Sequence, residues 1–171
     1  MAAGGLTWTW FEGAWHEGDV RIMGARTHAA WLGSSMFDGA RAFEGVAPDL
    51  DLHCARLNAS AEALGLRAPM RPEAIEELAR DGLRRFPKDA GLYIRPMYWC
   101  ENDGPHTITG DPDSTRFCLC IYEAPMPPAK GFSITLSPYR RPAVDQAPTD
   151  AKAGCLYPNS ARALREARGR G

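Results

Sequence analysis

The chain has 171 residues, 44% hydrophobic and 24% charged, with a formal net charge of −1. That is the composition of a soluble globular protein with enough length for one good core, or for one domain plus part of another. The near-neutral balance argues against a broad nucleic-acid surface. No apolar run reaches the roughly 20 residues of a membrane-spanning helix.

Residues 1–6 lack a basic stretch followed by an apolar one, so they do not read as a secretory signal. Thr7, Thr9 and Phe11 alternate with Trp8 and Trp10. Residues 7–12 and 14–16 therefore read as an opening hairpin turned near Glu12-Gly13. The tryptophans are expected in packing rather than in a ligand-stacking stripe. From Gly33 to Gly45 the chain is punctuated by glycines and aromatics. Read as a strand from Met36, period two puts Phe37, Gly39, Arg41 and Phe43 on one face. An arginine between two phenylalanines, beside a glycine that leaves room, suits a pocket wall as well as it suits a salt-bridged sheet face.

Residues 52–64 read as a helix with Leu57, Ala61 and Leu64 on its buried stripe and Arg56 beside it. A second helix opens at Arg71-Pro72 and runs to about Phe86 as scaffold, with Ile75, Leu78, Ala79 and Phe86 inward. Gly91–Cys100 is a strand with Tyr93, Arg95, Met97 and Trp99 on one face. Pro96 cannot donate to a ladder, which predicts an edge strand or a bulge there. Tyr93 and Arg95, two apart, can reach one carboxylate-sized ligand together; a plain aromatic–cation pairing is the other reading.

Residues 101–114 are a loop, in which His106 is given no role. Residues 116–123 are a largely apolar and hence central strand. Cys118 and Cys120 share one face of it, which favours core packing over half a metal site. The five cysteines are odd in number and include no CxxC pair, as expected of thiols in a reducing cytoplasm. Residues 125–130 form a stiff proline-rich linker. A strand is expected over 131–139, then an extended segment over 140–149, and a helix from Pro158 through Ala161, Leu164 and Ala167 to Gly169.

Of only three lysines, Lys88 lies in a polar turn and Lys130 follows the linker, while Lys152 is set among small and apolar residues with Tyr157 five positions on. Desolvation lowers a lysine's pKa, and the neutral amine forms a Schiff base with an aldehyde. A surface lysine beside a turn satisfies the same spacing.

Four segments in order, residues 33–41, 52–57, 93–96 and 151–154 with Tyr157, resemble the class IV (fold-type IV) aminotransferases, and within them the branched-chain amino acid aminotransferases. The resemblance runs from about Trp8 to the end of the chain. It implies an α+β fold: a small N-terminal α/β domain over 1–124, a linker over 125–130, and over 131–171 the start of a larger, β-rich cofactor-binding domain. In that family a second half follows, so the chain reads as a fragment or as one covalent piece of a larger protein.

The resemblance implies pyridoxal 5'-phosphate as cofactor, held by Lys152 as a Schiff base, with Tyr157 on the ring hydroxyl and Arg56 on the phosphate. It implies a substrate site of Phe37, Gly39, Arg41, Tyr93 and Arg95. The implied reaction exchanges the amino group of a branched-chain L-amino acid with 2-oxoglutarate, in a cytoplasmic homodimer. Leu32 stands where branched-chain enzymes often carry a tyrosine, which leaves the side-chain preference open. The alternatives are an aminodeoxychorismate lyase, a D-amino-acid or amine transaminase, or a non-catalytic domain.

Overall fold

Glu12 and Gly13 both take positive φ (50° and 83°), the mirror-image turn whose twist suits a two-residue hairpin. They join β1 (Thr7–Phe11) to β2 (Ala14–Glu17) as expected. The structure, a computed structural model, describes residues 5–171; residues 1–4, part of the stretch read for a secretory signal, lie outside the described residues. The hairpin is one flank of a six-stranded antiparallel sheet. The others are β3 (Ser35–Phe37), β4 (Ala40–Ala42), β5 (Leu92–Cys100) and β6 (Thr115–Glu123), in the order β2-β1-β6-β5-β3, with β4 also on β5.

The expectation for Pro96 is overturned. β5 is central, flanked by β6 on one side and by β3 and β4 on the other. It is not bulged, because Phe37 pairs Met97 and Ala40 pairs Ile94 in one unbroken register. The proline acts on the neighbour instead. Asp38 donates its N–H to the Pro96 carbonyl at 3.0 Å, but the return bond would need a Pro96 N–H. The ladder lapses there, and what reads as one strand becomes β3 and β4.

Period two sorts the sheet into two faces. Met36, Ala40, Leu92, Ile94, Tyr98, Phe117, Leu119 and Ile121 point into the main core. Against them pack α2 (Leu50–Ala63), through Leu50, Cys54, Leu57 and Ala61, and α3 (Pro72–Leu83), through Ile75 and Ala79. Trp8 and Trp10 pack against the same core, as expected. Burying a leucine such as Leu57 contributes about 1.5–3 kcal/mol. The helix expected to reach Phe86 stops at Leu83, and its end tightens into i→i−3 bonds from Arg84, Arg85 and Phe86. Pro87 follows, with no N–H to continue.

Phe37, Gly39, Arg41, Tyr93, Arg95 and Met97 lie on the other face, half-buried. A short helix missed in the sequence, α1 (His28–Leu32), precedes β3. Its buried His28 ring joins Ser34 Oγ at 2.6 Å and the Thr107 carbonyl at 3.1 Å, tying down the 101–114 loop.

Beyond Glu123 the chain is different in kind. Residues 125–130 are exposed throughout. The strand expected over 131–139 is absent, so β structure is confined to the first part of the described residues. Phe132, Ile134 and Leu136 do alternate, but they are 90%, 86% and 91% exposed. A strand needs a partner for its N–H and C=O groups, and no described strand lies beside this one. The segment is held by side chains of α4 (Tyr157–Gly169) and of the residue that caps it, with Asn159 donating to the Arg140 carbonyl and Arg170 to the Leu136 carbonyl, both at 2.8 Å.

Candidate active site

Lys152 is fixed by its backbone before its side chain does anything. Its N–H donates to Ser60 Oγ at 3.0 Å, and Ser60 Oγ donates to the Arg56 carbonyl one turn back on α2. Its carbonyl accepts from the Phe37 N–H at 3.1 Å, and Ala153 bridges Met36. The residue is thus clamped between β3 and α2, in a stretch where Ala151 and Ala153 are buried.

The half-buried Lys152 side chain crosses the Phe37 ring, with Nζ 4.7 Å from its centroid, and donates to Tyr157 Oη at 2.7 Å. Tyr157, at the start of α4, packs on Phe37 with ring centroids 5.2 Å apart. Arg56, Lys152 and Tyr157 share one cavity of about 330 Å³, completed by Arg141, Thr149, Asp150 and Ser160. That volume is in the range of small-molecule sites. The five-residue spacing from Lys152 to Tyr157 was visible in the sequence. The lining from Arg141, Thr149 and Ser160 was not, because it depends on how the segment before Lys152 folds back.

Arg56 is half spent. Its Nε donates to Asp38 Oδ2 at 2.6 Å and its Nη2 to Asp38 Oδ1 at 2.8 Å. Its Nη1 has no partner among the described residues. The Asp38 carboxylate is fully buried and also accepts from His53 Nδ1 at 2.8 Å and from the Gly39 N–H at 2.7 Å. Burial pushes the Asp38 pKa up, but the bonds from Arg56, His53 and Gly39 outweigh it and hold the carboxyl below its ordinary range.

The remaining candidates do not line this cavity. They form the adjoining sheet face, where the register sets Gly39 beside Arg95 and pairs Arg41 with Tyr93. A Cβ at Gly39 would overlap the Tyr93 hydroxyl, so the glycine makes the room that the tyrosine occupies. Burial raises the Tyr93 pKa, as does the neighbouring Tyr122, while the charges of Lys152 and Arg95 lower it in part. Arg95 lies over the Tyr122 ring at 5.3 Å. Arg41 donates through Nη2 to the Ala124 carbonyl, pinning the start of the linker. Arg41 Nε and Arg95 Nε are both buried with no partner among the described residues. A buried unpaired donor is costly, and two on one face call for an acceptor such as a carboxylate.

Four of the five cysteines are buried, and Cys155 is exposed. Burial pushes the Cys54 and Cys118 thiols up to about 12 and raises Cys120, and no group of three ligand-type side chains positioned for a metal occurs among the described residues. No described helix is long and apolar enough to cross a membrane.

The sequence profile of the class IV amino-transferases matches residues 35–171. The chain belongs to that family. A crystal structure of an aminotransferase from Brucella abortus bound to PLP superimposes with a TM-score of 0.95 at 54% identity, over 97% of this chain and 59% of that one. The branched-chain aminotransferase of Thermoproteus uzoniensis, solved with norvaline, gives 0.82 at 25% identity, over 98% of this chain and 58% of that one. A probable branched-chain-amino-acid aminotransferase of Rickettsia typhi is 33% identical over 85% of this chain and 50% of its own length, and one of Rickettsia bellii is 29% identical over 95% and 56%. The chain spans about half the length of the curated relatives it matches.

Proposed function

We propose that the protein carrying this chain is a pyridoxal-phosphate-dependent aminotransferase that exchanges amino groups between a branched-chain L-amino acid and 2-oxoglutarate, giving the 2-oxo acid and L-glutamate. The observation that carries the reading is a lysine amine 2.7 Å from a phenol, in a cavity whose third member is an arginine with an uncommitted N–H. The residues present fit the cofactor. Lys152 Nζ would take its aldehyde carbon, Tyr157 Oη its ring hydroxyl and Arg56 its phosphate. When bound, pyridoxal phosphate supplies an aldehyde for the amine and a ring that takes up electron density.

The chain's own residues do the rest. Once the substrate amine has taken its place, Lys152 Nζ would accept the proton from the substrate α-carbon as base and deliver it as acid to the carbon that had been the aldehyde's. Its clamped backbone keeps the amine within reach through both steps. Tyr157 Oη donates toward developing negative charge and orients Lys152. Arg41 and Arg95 have buried unpaired donors that suit the substrate carboxylates, with Tyr93 between them in register. Phe37 and Gly39 shape an apolar pocket for the side chain. Residues 1–124 serve as the small domain, 125–130 as linker and 131–171 as the start of the cofactor domain, a division that the sheet's end at Glu123 supports; the protein works as a homodimer, in a reducing cytoplasm that suits its four buried free thiols.

Borohydride reduction of the full-length protein with pyridoxal phosphate, followed by digestion and mass analysis, tests the site. An adduct confined to Lys152, absent in Lys152→Ala together with turnover, is expected. An adduct elsewhere, or measurable turnover by Lys152→Ala, would overturn the assignment. A panel of L-leucine, D-alanine and a chiral amine tests the substrate, with L-leucine expected to be preferred.

A further inference from the structure

Asp38 is a buried carboxylate that neither the cavity lining nor the proposed chemistry uses. Charges are rarely buried without paired partners, and Asp38 is fully paired. A carboxylate has about four lone-pair sites. Arg56 Nη2, His53 Nδ1 and the Gly39 N–H fill Oδ1, and Arg56 Nε fills Oδ2. Because the carboxylate only accepts, His53 must carry its proton on Nδ1. The 3.3 Å approach of Arg56 Nη2 to that same atom is then donor against donor and not a bond. Four donors hold this buried carboxylate ionised, and Asp38 does not line the cavity, so it has no reacting atom in reach and is no general base.

What it does hold is direction. The Arg56 side chain is 55% exposed, and an arginine so placed is free to sample many rotamers. Two parallel N–H···O bonds to one carboxylate fix the guanidinium plane. That leaves Nη1 and the outer hydrogen of Nη2 on the side away from Asp38, and Arg56 lines the cavity. The neighbours of Asp38 fix other parts of the same site: the Phe37 N–H holds the Lys152 carbonyl, and Gly39 makes room for Tyr93.

We propose that Asp38 is a positioning residue, whose carboxylate aims the Arg56 guanidinium so that its remaining N–H groups meet the cofactor phosphate. The proposal rests on the pyridoxal-phosphate reading above. It differs from simple charge attraction, in which Asp38 would only neutralise Arg56 and weaken its hold on an anion.

The test compares the affinity of the full-length apoprotein for pyridoxal phosphate and for pyridoxal, which lacks the phosphate. Wild type should prefer pyridoxal phosphate and form the Lys152 adduct; if it does neither, the cofactor reading has failed and takes this proposal with it. In Asp38→Asn the amide places a donor against a guanidinium N–H. Affinity for pyridoxal phosphate should fall about tenfold or more while pyridoxal changes about twofold or less, as for loss of a charge-assisted pair. Tighter or unchanged pyridoxal phosphate binding, or an equal loss for both ligands, would overturn the proposal. Arg56→Lys carries the test if Asp38→Asn does not fold. It keeps the charge but cannot make the two-pronged pair, so it should lose the phosphate preference; wild-type preference in that variant would refute the role of aim.

Discussion

Putting a methyl group at Gly39 would drive it into the Tyr93 hydroxyl across the sheet. The backbone cannot move far, because Ala40 is paired with Ile94 one residue on. The tyrosine must swing out. Gly39→Ala is therefore expected to raise the KM for the amino acid about tenfold, the scale of one lost hydrogen bond to a charged group, with a smaller change in kcat; steady-state kinetics checks it. At Asp38 the sign follows from the depressed pKa. A carboxyl lowered on folding contributes stability above its unfolded value, near 3.8, and loses it as pH falls through the folded value. The melting temperature of wild type should therefore drop below about pH 4, and Asp38→Asn should lack that part of the drop. Equal acid slopes in the two proteins would contradict the pairing.

The elements depend on close approach. Gly82 sits inside α3, where alanine would ordinarily gain about 1 kcal/mol in helix propensity. Here a Cβ would come within 2.6 Å of the Ile121 side chain and closer still to the Trp15 ring, and Trp15 is tethered by its Nε1–H to Asp81 at 2.9 Å. Overpacking costs about 1–3 kcal/mol, so it outweighs propensity. Gly82→Ala should destabilise the protein in a denaturant titration. Much at this scale was legible in the sequence. The alternations of residues 7–12, 36–43 and 92–99 assigned both sheet faces, because period two survives whatever the partner. The stripe of Leu57 and Ala61 placed α2 for the same reason. Asp38 was not legible: it is 15 and 18 residues from His53 and Arg56, and only the seating of α2 on the sheet joins them. One sign was present, since a carboxylate shares a strand face with Met36, Ala40 and Ala42. Pro96 was read correctly as a missing donor, but its effect falls on the opposing strand, which a one-strand reading does not contain. The alternation of Phe132, Ile134 and Leu136 showed a capacity to pair without showing a partner.

On the scale of the whole molecule, the chain divides into a packed sheet-and-helix unit and a segment whose large apolar residues face solvent, Val144 at 88% among them. Contiguous exposed apolar surface is sticky. The 171-residue chain on its own is expected to bind a hydrophobic dye, and Phe132→Asp with Leu136→Asp to abolish most of that binding; undiminished fluorescence would place the apolar surface elsewhere. The two parts meet at Lys152, whose backbone is held by the unit that contains α2 and β3 while its amine reaches Tyr157 at the head of α4.

Four of the five thiols are buried and Cys155 alone is exposed. Burial pushes two of the buried ones, Cys54 and Cys118, up to about 12, which disfavours the thiolate, the form that reacts. A maleimide fluorophore added to the folded 171-residue chain should thus attach at Cys155 without any prior cysteine substitution. It would stand three residues from Lys152 and against Gly33 at the end of α1, a ready optical reporter of what enters the cavity.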